Sequence, residues 1–402
     1  MKYIKNPYAR ELYSEKQVLL CNTKTGGYLK TNRIYYKYLE FLMKKDNGNV
    51  EWETIEDDDV KHNMQYLFSE LLKIGYIINE KDYDKIKNEK YEVIYLSITN
   101  RCNLHCSHCC VYAGQEDFEE LSVKEWKFII DQVVQLNPDS IEVTGGEPLL
   151  YHEFCDFILY LRKVYRGNIS VSTNGLLIDE FNIAFLKENV DSFSISIDGY
   201  DEESCKLIRG KGIFQKVIER IKFLKVNGIT AISASMLITS YTENNKEKFA
   251  TLCLKLGITP IYRRFSPSGR GKENFRNLIP QKSMLQDIDT HLLKCALCKP
   301  GKRELNISYK GDVYPCAPLS SKEEFRMGNI FEVSLKDIVN NNSFEKKIEK
   351  YRPWNMEKCS TCNVNLFCHT CMNYMRSIQE NRALFKKICK QNKSILTKAI
   401  WE

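Results

Sequence analysis

The chain has 402 residues, 43% hydrophobic and 28% charged, the composition of a globular protein of two or three domains rather than a disordered one. Its longest apolar runs, such as Val18–Cys21, cover a few residues only, far short of the ~20 that span a bilayer. Basic residues outnumber acidic ones by 59 to 52, and the surplus of 7 equals that of residues 341–402 alone, where 12 basic residues stand against 5 acidic.

The first residues, Met1–Pro7, lack the apolar stretch of a secretory signal, and a cytoplasmic protein is expected. Residues 16–30 read as two strands around Gly26-Gly27. Asn32 suits the cap of a helix whose apolar positions include Ile34, Tyr38, Phe41 and Leu42. The acidic run Glu56–Asp59 suits the start of a second helix, with Val60, Met64, Leu67, Leu71 and Ile74 on one face. Gly75 ends it, and Tyr76–Ile78 returns as a strand. This order resembles a small winged helix and marks residues 1–88 as a first domain, with 79–90 as a linker. DNA binding would require a basic face; 16 basic and 15 acidic residues over 1–90 argue against it.

From Tyr91 apolar runs recur at 93–98, 141–144, 169–172, 193–197, 231–238 and 260–265. Helical patterns separate them, as at 123–134 and at 214–226, where Val217, Ile218, Ile221 and Leu224 share a face. The alternation predicts a parallel α/β sheet flanked by helices. Six units fit a partial, open (β/α)6 barrel, because a closed eight-unit barrel takes about 250 residues. After Ser266 the rhythm fades, and eight of the sixteen cysteines lie between Cys295 and Cys389. Without a secretory signal, metal or cluster ligation explains so many cysteines better than disulfides, and ligation would supply much of that segment's folding energy.

Cys102, Cys106 and Cys109 form C-x3-C-x2-C directly after the first strand of the alternating region. Three thiolates on one loop can hold three irons of a cubane cluster and leave the fourth open, where four cysteines would saturate it. A zinc loop completed by His105 or His108 is the alternative on spacing alone. The next strand ends in Thr144-Gly145-Gly146-Glu147-Pro148, and the following ones in Ser172-Thr173-Asn174-Gly175 and Ser196-Ile197-Asp198-Gly199. In this order the motifs resemble the radical S-adenosylmethionine (SAM) superfamily over roughly residues 91–270. Ligands of parallel α/β sheets sit at the carboxyl ends of the strands. Gly145 and Gly146 allow close backbone approach to a ligand, and Glu147 can accept from an ammonium group. The resemblance implies that Gly145, Gly146, Glu147, Asn174, Ser196 and Asp198 line the cofactor, Gly146 and Glu147 at its amino group. It also implies that Arg209 pairs with the cofactor carboxylate and that His108 stands where the family usually has an aromatic residue near the adenine. Cys110, which offers a second spacing from Cys106, is read as a bystander.

Farther on lie Cys295-x2-Cys298, then Gly311-x4-Cys316, then Cys359-x2-Cys362-x5-Cys368-x2-Cys371 and finally Cys389. This resembles the SPASM extension of radical SAM enzymes, with two auxiliary [4Fe–4S] clusters; the family has three residues between the last two clustered cysteines, here only His369 and Thr370. The resemblance assigns Cys295, Cys298, Cys316 and Cys371 to a nearer cluster and Cys359, Cys362, Cys368 and Cys389 to a farther one, three clusters in all. The basic C-terminal end either offsets the negative charge of these centres or is a solvated face. Residues 89–275 are then the radical SAM core and 276–402 the SPASM domain. The first domain is similar to the PqqD-type fold, which takes up a leader peptide as an added strand. The implied function is maturation of a ribosomally made precursor peptide. A 5′-deoxyadenosyl radical would abstract hydrogen and a crosslink would close, favoured as a cysteine thioether of the sactipeptide or ranthipeptide type. A carbon–carbon crosslink, a sulfatase-maturating enzyme and a non-catalytic zinc- or DNA-binding adaptor are the alternatives. The partners implied are the precursor peptide, with its leader on the first domain, and an electron donor such as flavodoxin or ferredoxin; neither membrane nor nucleic acid is expected.

Overall fold

The computed structural model describes residues 2–402 apart from 46–47, 84–89, 115–118, 284, 286–288, 290–291, 297, 299–300, 342 and 369–370. The linker expected over 79–90 lies largely outside the described residues. The chain begins with β1 (Tyr3–Lys5), β2 (Ala9–Tyr13), β3 (Gln17–Asn22), β4 (Tyr28–Asn32), α1 (Arg33–Lys45), α2 (Asp58–Lys73) and β5 (Ile77–Asn79). β2, β3 and β4 form an antiparallel sheet, and β1 pairs with β5. The Ile34 N–H donates to Asn32 Oδ1 at 2.7 Å, and the Val60 N–H to the Asp57 cap of α2 at 2.9 Å. The inward face of α1 differs from expectation. Tyr36, Leu39 and Leu42 are buried, whereas Ile34 and Phe41 are 75% and 57% exposed. Both sets recur at helical spacing, and periodicity alone does not say which set meets the core.

The alternating region follows as β6 (Val93–Thr99), α3 (Val123–Gln135), β7 (Ser140–Gly145), α4 (Phe154–Val164), β8 (Asn168–Thr173), α5 (Ile183–Asn189), β9 (Ser192–Ser196), α6 (Glu202–Arg209), α7 (Ile213–Val226), β10 (Ile232–Ile238), α8 (Lys246–Leu256) and β11 (Thr259–Arg264). Two short helices, α9 (Arg270–Glu273) and α10 (Phe275–Leu278), come next. β6 to β11 are parallel neighbours in chain order, as the six apolar runs predict. Ile94, Leu96, Ile141, Val143, Ile169 and Val171 bury the sheet interior, and Trp126, Phe157 and Ile221 of the helices are buried with them. Three strands missed in the sequence extend the sheet beyond β6: β12 (Glu304–Ile307), β13 (Asp312–Tyr314) and β14 (Gly328–Asn329). β12 runs parallel to β6, and buried Ser97 donates to Asn306 Oδ1 at 2.8 Å. Four residues of mixed polarity are too short a signal to announce a strand. The chain ends with α11 (Leu335–Asn340), α12 (Ser343–Glu349), α13 (Met372–Glu380) and α14 (Arg382–Trp401). Among the described residues no helix is long and apolar enough to cross a membrane.

Two compact units result, each assembled from separate stretches. One comprises Met1–Glu89, Lys282–Lys299 and Ile348–Glu402; the other comprises Lys90–Gln281 and Pro300–Lys347. Residues 276–402, one segment in the sequence reading, are therefore divided between the two. In the first unit β3 is buried on both faces. Val18 and Leu20 pack with Tyr36, Leu39, Met64 and Leu71, while Leu19 and Cys21 pack with Leu293, Cys295, Leu366, Phe367 and Leu396. Alternate strand residues point to opposite faces, so an unbroken apolar run serves two cores at once. Tyr28 meets Phe367 edge to face at 4.9 Å, and the Cys295 N–H donates to the Gly26 carbonyl at 3.0 Å. The first 80 residues thus share a core with the C-terminal cysteine segment.

Leu19→Ala is expected to destabilise the protein by about 2–5 kcal/mol, and Ile34→Ala by less than about 0.5 kcal/mol, in guanidinium unfolding followed by circular dichroism. Equal effects would show that the second face of β3 is not a core.

Candidate active site at the strand ends

β6 delivers the loop that carries Cys102, Cys106 and Cys109. Cys106 is buried and the other two half-buried. Burial raises the Cys102 thiol to about 11, and the neighbouring Cys106 and Cys109 push it the same way. Burial raises Cys106 too, while Arg209 favours its thiolate. The next strand grips this loop through its backbone. The Gly146 N–H donates to the Thr99 carbonyl at 2.8 Å and the Glu147 N–H to the Arg101 carbonyl at 2.7 Å. A Cβ on Gly145 would lie 2.3 Å from Thr99 O, and one on Gly146 2.2 Å from Arg101 O. The two glycines are therefore required by the approach of β7 to the cysteine loop, whatever ligand also comes near.

Glu147 is fully buried. Its carboxylate accepts from Thr173 Oγ1 at 2.6 Å, the Asn174 N–H at 2.8 Å and the Leu149 N–H at 3.3 Å. Burial raises its pKa, and these donors oppose the rise. Asn174 Nδ2 donates to Asn103 Oδ1 at 2.7 Å, linking β8 to the cysteine loop.

Asp198, just past β9, joins the remaining motif residues. It accepts from Arg209 Nε at 2.7 Å and from the Leu237 N–H at 2.6 Å, and His108 Nε2 lies 3.4 Å away. Burial works against its charge, yet Arg209 and the Leu237 N–H hold its pKa below the usual value. Arg209 Nη1 lies 3.9 Å from Cys106 Sγ. Burial lowers the His108 pKa to about 4, with Arg209 and Arg270 adding to the effect, so the ring is neutral. Among the described residues its Nδ1 is buried without a hydrogen-bond partner, so it is open to a ligand. Ser196 ends β9 half-buried. Among the described residues no three His, Cys, Asp or Glu side chains close on one point as the ligands of a single metal ion do. Three thiols on one loop within electrostatic reach of one another are a donor set that suits a cluster with one iron left open.

Sequence motifs missed the residues that clamp the loop from behind. Buried Arg270 donates from Nε to the Cys106 carbonyl at 3.0 Å and from Nη1 to the Ala113 carbonyl at 2.6 Å. Asn274 Nδ2 donates to the Ser107 carbonyl at 3.0 Å. Gly269, with φ +50°, lets Cys109 O and Cys110 O come close. A Gly-Arg-Gly run just after the last barrel strand was the available signal.

Of the C-terminal cysteines, Cys359, Cys362, Cys368 and Cys389 all belong to the first unit, and their thiols lie within electrostatic reach of one another. Asn392, buried one turn after Cys389, donates from Nδ2 to Cys368 Sγ at 3.3 Å, and Ser283 Oγ hydrogen-bonds its Oδ1. Cys295, Cys298 and Cys371 belong to the first unit and Cys316, which follows β13, to the barrel unit. Cys295 Sγ donates to the Asn22 carbonyl at 3.2 Å and hydrogen-bonds Cys21, a link no spacing announced. His369 and Thr370, where the spacing departs from the family, lie outside the described residues.

Comparison with known proteins agrees with this geometry. Residues 96–253 match the radical SAM superfamily and residues 298–363 an iron–sulfur cluster-binding domain, SPASM. The mycofactocin maturase MftC of Mycobacterium tuberculosis is 27% identical over 292 residues, 66% of this chain and 74% of that protein. AlbA of Bacillus subtilis, an antilisterial bacteriocin subtilosin biosynthesis protein, is 27% identical over 318 residues, 73% and 69% of the two chains. Streptococcus suis SuiB bound to precursor peptide SuiA superposes with a TM-score of 0.56 at 15% identity, over 92% of this chain and 97% of that one. The anSMEcpe enzyme with AdoMet and the Kp18Cys peptide gives 0.56 at 19% identity, over 77% and 99%. At these identities the structural likeness concerns the fold alone.

Asp198→Asn should cost about 3 kcal/mol, because it leaves Arg209 buried without its counter-charge. Denaturant unfolding of the metal-free protein measures it; a loss within about 0.5 kcal/mol, typical of surface sites, would show that the pair carries no structural weight.

Proposed function

The chain carries a radical SAM domain followed by a SPASM domain, and on that premise we propose that it is a peptide maturase that joins a cysteine sulfur to a carbon of a ribosomally made precursor. The observation that carries the reading is the convergence of Cys102, Cys106 and Cys109 on one loop, walled by His108, Asp198 and Arg209. A [4Fe–4S] cluster held by the three thiolates, with SAM beside it, supplies a carbon-centred radical able to take an unactivated hydrogen. Gly145 and Gly146 fix the height of the loop, and Glu147 and Asn174 tie it to β8. Ser196 and His108 Nδ1 present polar atoms to the cofactor. Asp198 acts through Arg209, holding the guanidinium charged and aimed at the site; the remaining Arg209 N–H groups suit a carboxylate.

Closing a thioether removes two hydrogens from the peptide. A radical formed on the bound cofactor would take one; the other would leave as a proton and an electron, for which an auxiliary cluster would be a fitting acceptor. The nearer one would be held by Cys295, Cys298, Cys316 and Cys371, and the farther by Cys359, Cys362, Cys368 and Cys389, giving three clusters. The first domain would bind the leader of the precursor. Its edge strands β2 and β4, the exposed Ile34 and Phe41, and a cleft of about 440 Å³ lined by Tyr3, Lys5, Tyr36, Leu39 and Tyr76 support that role. The reaction belongs in the cytoplasm, with a protein electron donor.

The test is anaerobic incubation with SAM, a reductant and a cysteine-containing precursor. The peptide should lose two hydrogens in mass, and its cysteine should no longer react with iodoacetamide. A cysteine that still alkylates after the mass loss excludes the thioether in favour of another crosslink. The Cys102/Cys106/Cys109→Ala triple variant should keep about two thirds of the iron and cleave no SAM; retained cleavage overturns the assignment.

Asn392→Leu should make the farther cluster harder to reduce. A hydrogen bond to charged sulfur is worth about 1.5 kcal/mol, which bounds the negative shift at roughly 60 mV. An EPR-monitored redox titration reads it, and an unchanged potential at full iron content would show that the amide does not reach the sulfur.

A further inference from the structure

The twenty residues of α14 include Arg382, Lys386, Lys387, Lys390, Lys393 and Lys398 and no carboxylate. Four of them, Arg382, Lys386, Lys390 and Lys393, follow one another at helical spacing, are exposed, and fall on the side of the helix that carries Cys389. The stripe runs about 16 Å along the axis at 1.5 Å per residue. Among the described residues none of the four is held in an ion pair. The arrangement opposes local stability. Arg382 and Lys386 stand at the positive end of the helix dipole, and Arg382/Lys386 and Lys386/Lys390 are like-charge i,i+4 pairs that destabilise a helix. Helix formation therefore does not explain the stripe, and breaches of local preference collect at functional sites.

The neighbourhood supplies the reason. Lys393 lies within electrostatic reach of Cys389 and Lys358 within reach of Cys359. Lys358 also stands over the Phe385 ring at 6.0 Å, adding a fifth cation at the same edge. Cys359, Cys362, Cys368 and Cys389 are all half-buried, whereas of the other four Cys295 and Cys316 are buried and Cys298 and Cys371 half-buried. The set Cys359, Cys362, Cys368 and Cys389 thus comes nearest to solvent where the positive charge is densest. Charge balance for a cluster would need cations close to the sulfurs; it does not need a solvent-facing row of this length.

We propose that the face of α14 bearing Arg382, Lys386, Lys390 and Lys393 is the docking surface for an acidic one-electron carrier protein, which passes electrons to the centre held by Cys359, Cys362, Cys368 and Cys389. This rests on the reading of those four cysteines as cluster ligands. In the transfer a flavin-bearing carrier goes from anionic hydroquinone to neutral semiquinone, and the four-thiolate centre gains one negative charge; no bond forms and no proton moves. The positive face raises the encounter rate by steering, an effect that salt screens.

The experiment uses the full-length reconstituted enzyme and purified flavodoxin in its hydroquinone form, with semiquinone formation followed anaerobically by stopped flow. In the wild type the second-order rate should fall steeply with ionic strength. In the K386E/K390E/K393E variant it should drop at least about tenfold at low salt and lose its salt dependence. Reduction by photoreduced 5-deazariboflavin, a neutral reductant, should stay unchanged. If the reversal lowers iron content, the neutral K386Q/K390Q/K393Q variant must show the reduced rate at full iron. A rate unaffected by either substitution, or by salt in the wild type, overturns the proposal. The Cys359→Ser/Cys389→Ser variant separates the two readings. Full iron there refutes the ligand assignment, whereas loss of about a third with an unaffected carrier rate refutes the docking surface alone.

Discussion

A single buried carboxylate organises the mouth of the barrel. Asp198 follows β9 with φ +57°, a conformation few residues other than glycine adopt and Asp tolerates better than most. From there it reaches β10 through the Leu237 N–H, α6 through Arg209 and the cysteine loop through His108. Its charge is stable in the interior only because Arg209 sits against it, and Arg209 is tolerable there only because of Asp198. Neither is replaceable alone. Gly199 beside it is equally constrained, since a Cβ would fall 2.5 Å from the Cys205 nitrogen. Strain and buried charge are concentrated at one strand end, where geometry has to be held while ligands enter and leave.

The cysteine loop is held by two independent grips. From the front, β7 presses glycine against its backbone; from the back, Arg270 and Asn274 hydrogen-bond its carbonyls. The side chains of the loop are thereby left for ligand chemistry, while main-chain contacts set its shape. That division suits a loop whose thiolates must hold their places around a cluster.

Much of this was legible because the barrel is locally encoded. Each strand from β6 to β11 is a strand-like run with its own turn signals, and the motif residues follow at the carboxyl ends of β6, β7, β8 and β9. What escaped the sequence is what depends on distant partners. Arg270 and Asn274 act through backbone carbonyls some 160 residues away, which no motif records. β12 is a strand because β6 offers an edge to pair with, not because Glu-Leu-Asn-Ile demands it. The face of α1 was misread because it has two apolar stripes, and only the neighbours β3 and α2 choose between them. The partners of the second face of β3 escaped for the same reason. Val18–Cys21 shows that a strand is buried on both sides, without showing what covers the second.

That second side has a consequence for synthesis. Leu12, Leu19 and Cys21 leave the ribosome some 350 residues before Leu366, Phe367, Leu396 and Ile400, with which they share a core. At about 5–20 residues per second, roughly 15–70 seconds separate the two. Throughout that interval one face of the sheet has no native partner, while the barrel, whose contacts join successive strands, can already close. The nascent chain therefore carries an uncovered apolar surface until α14 emerges. During translation, the sheet of β2 to β4 is made before the barrel and has its core completed after it.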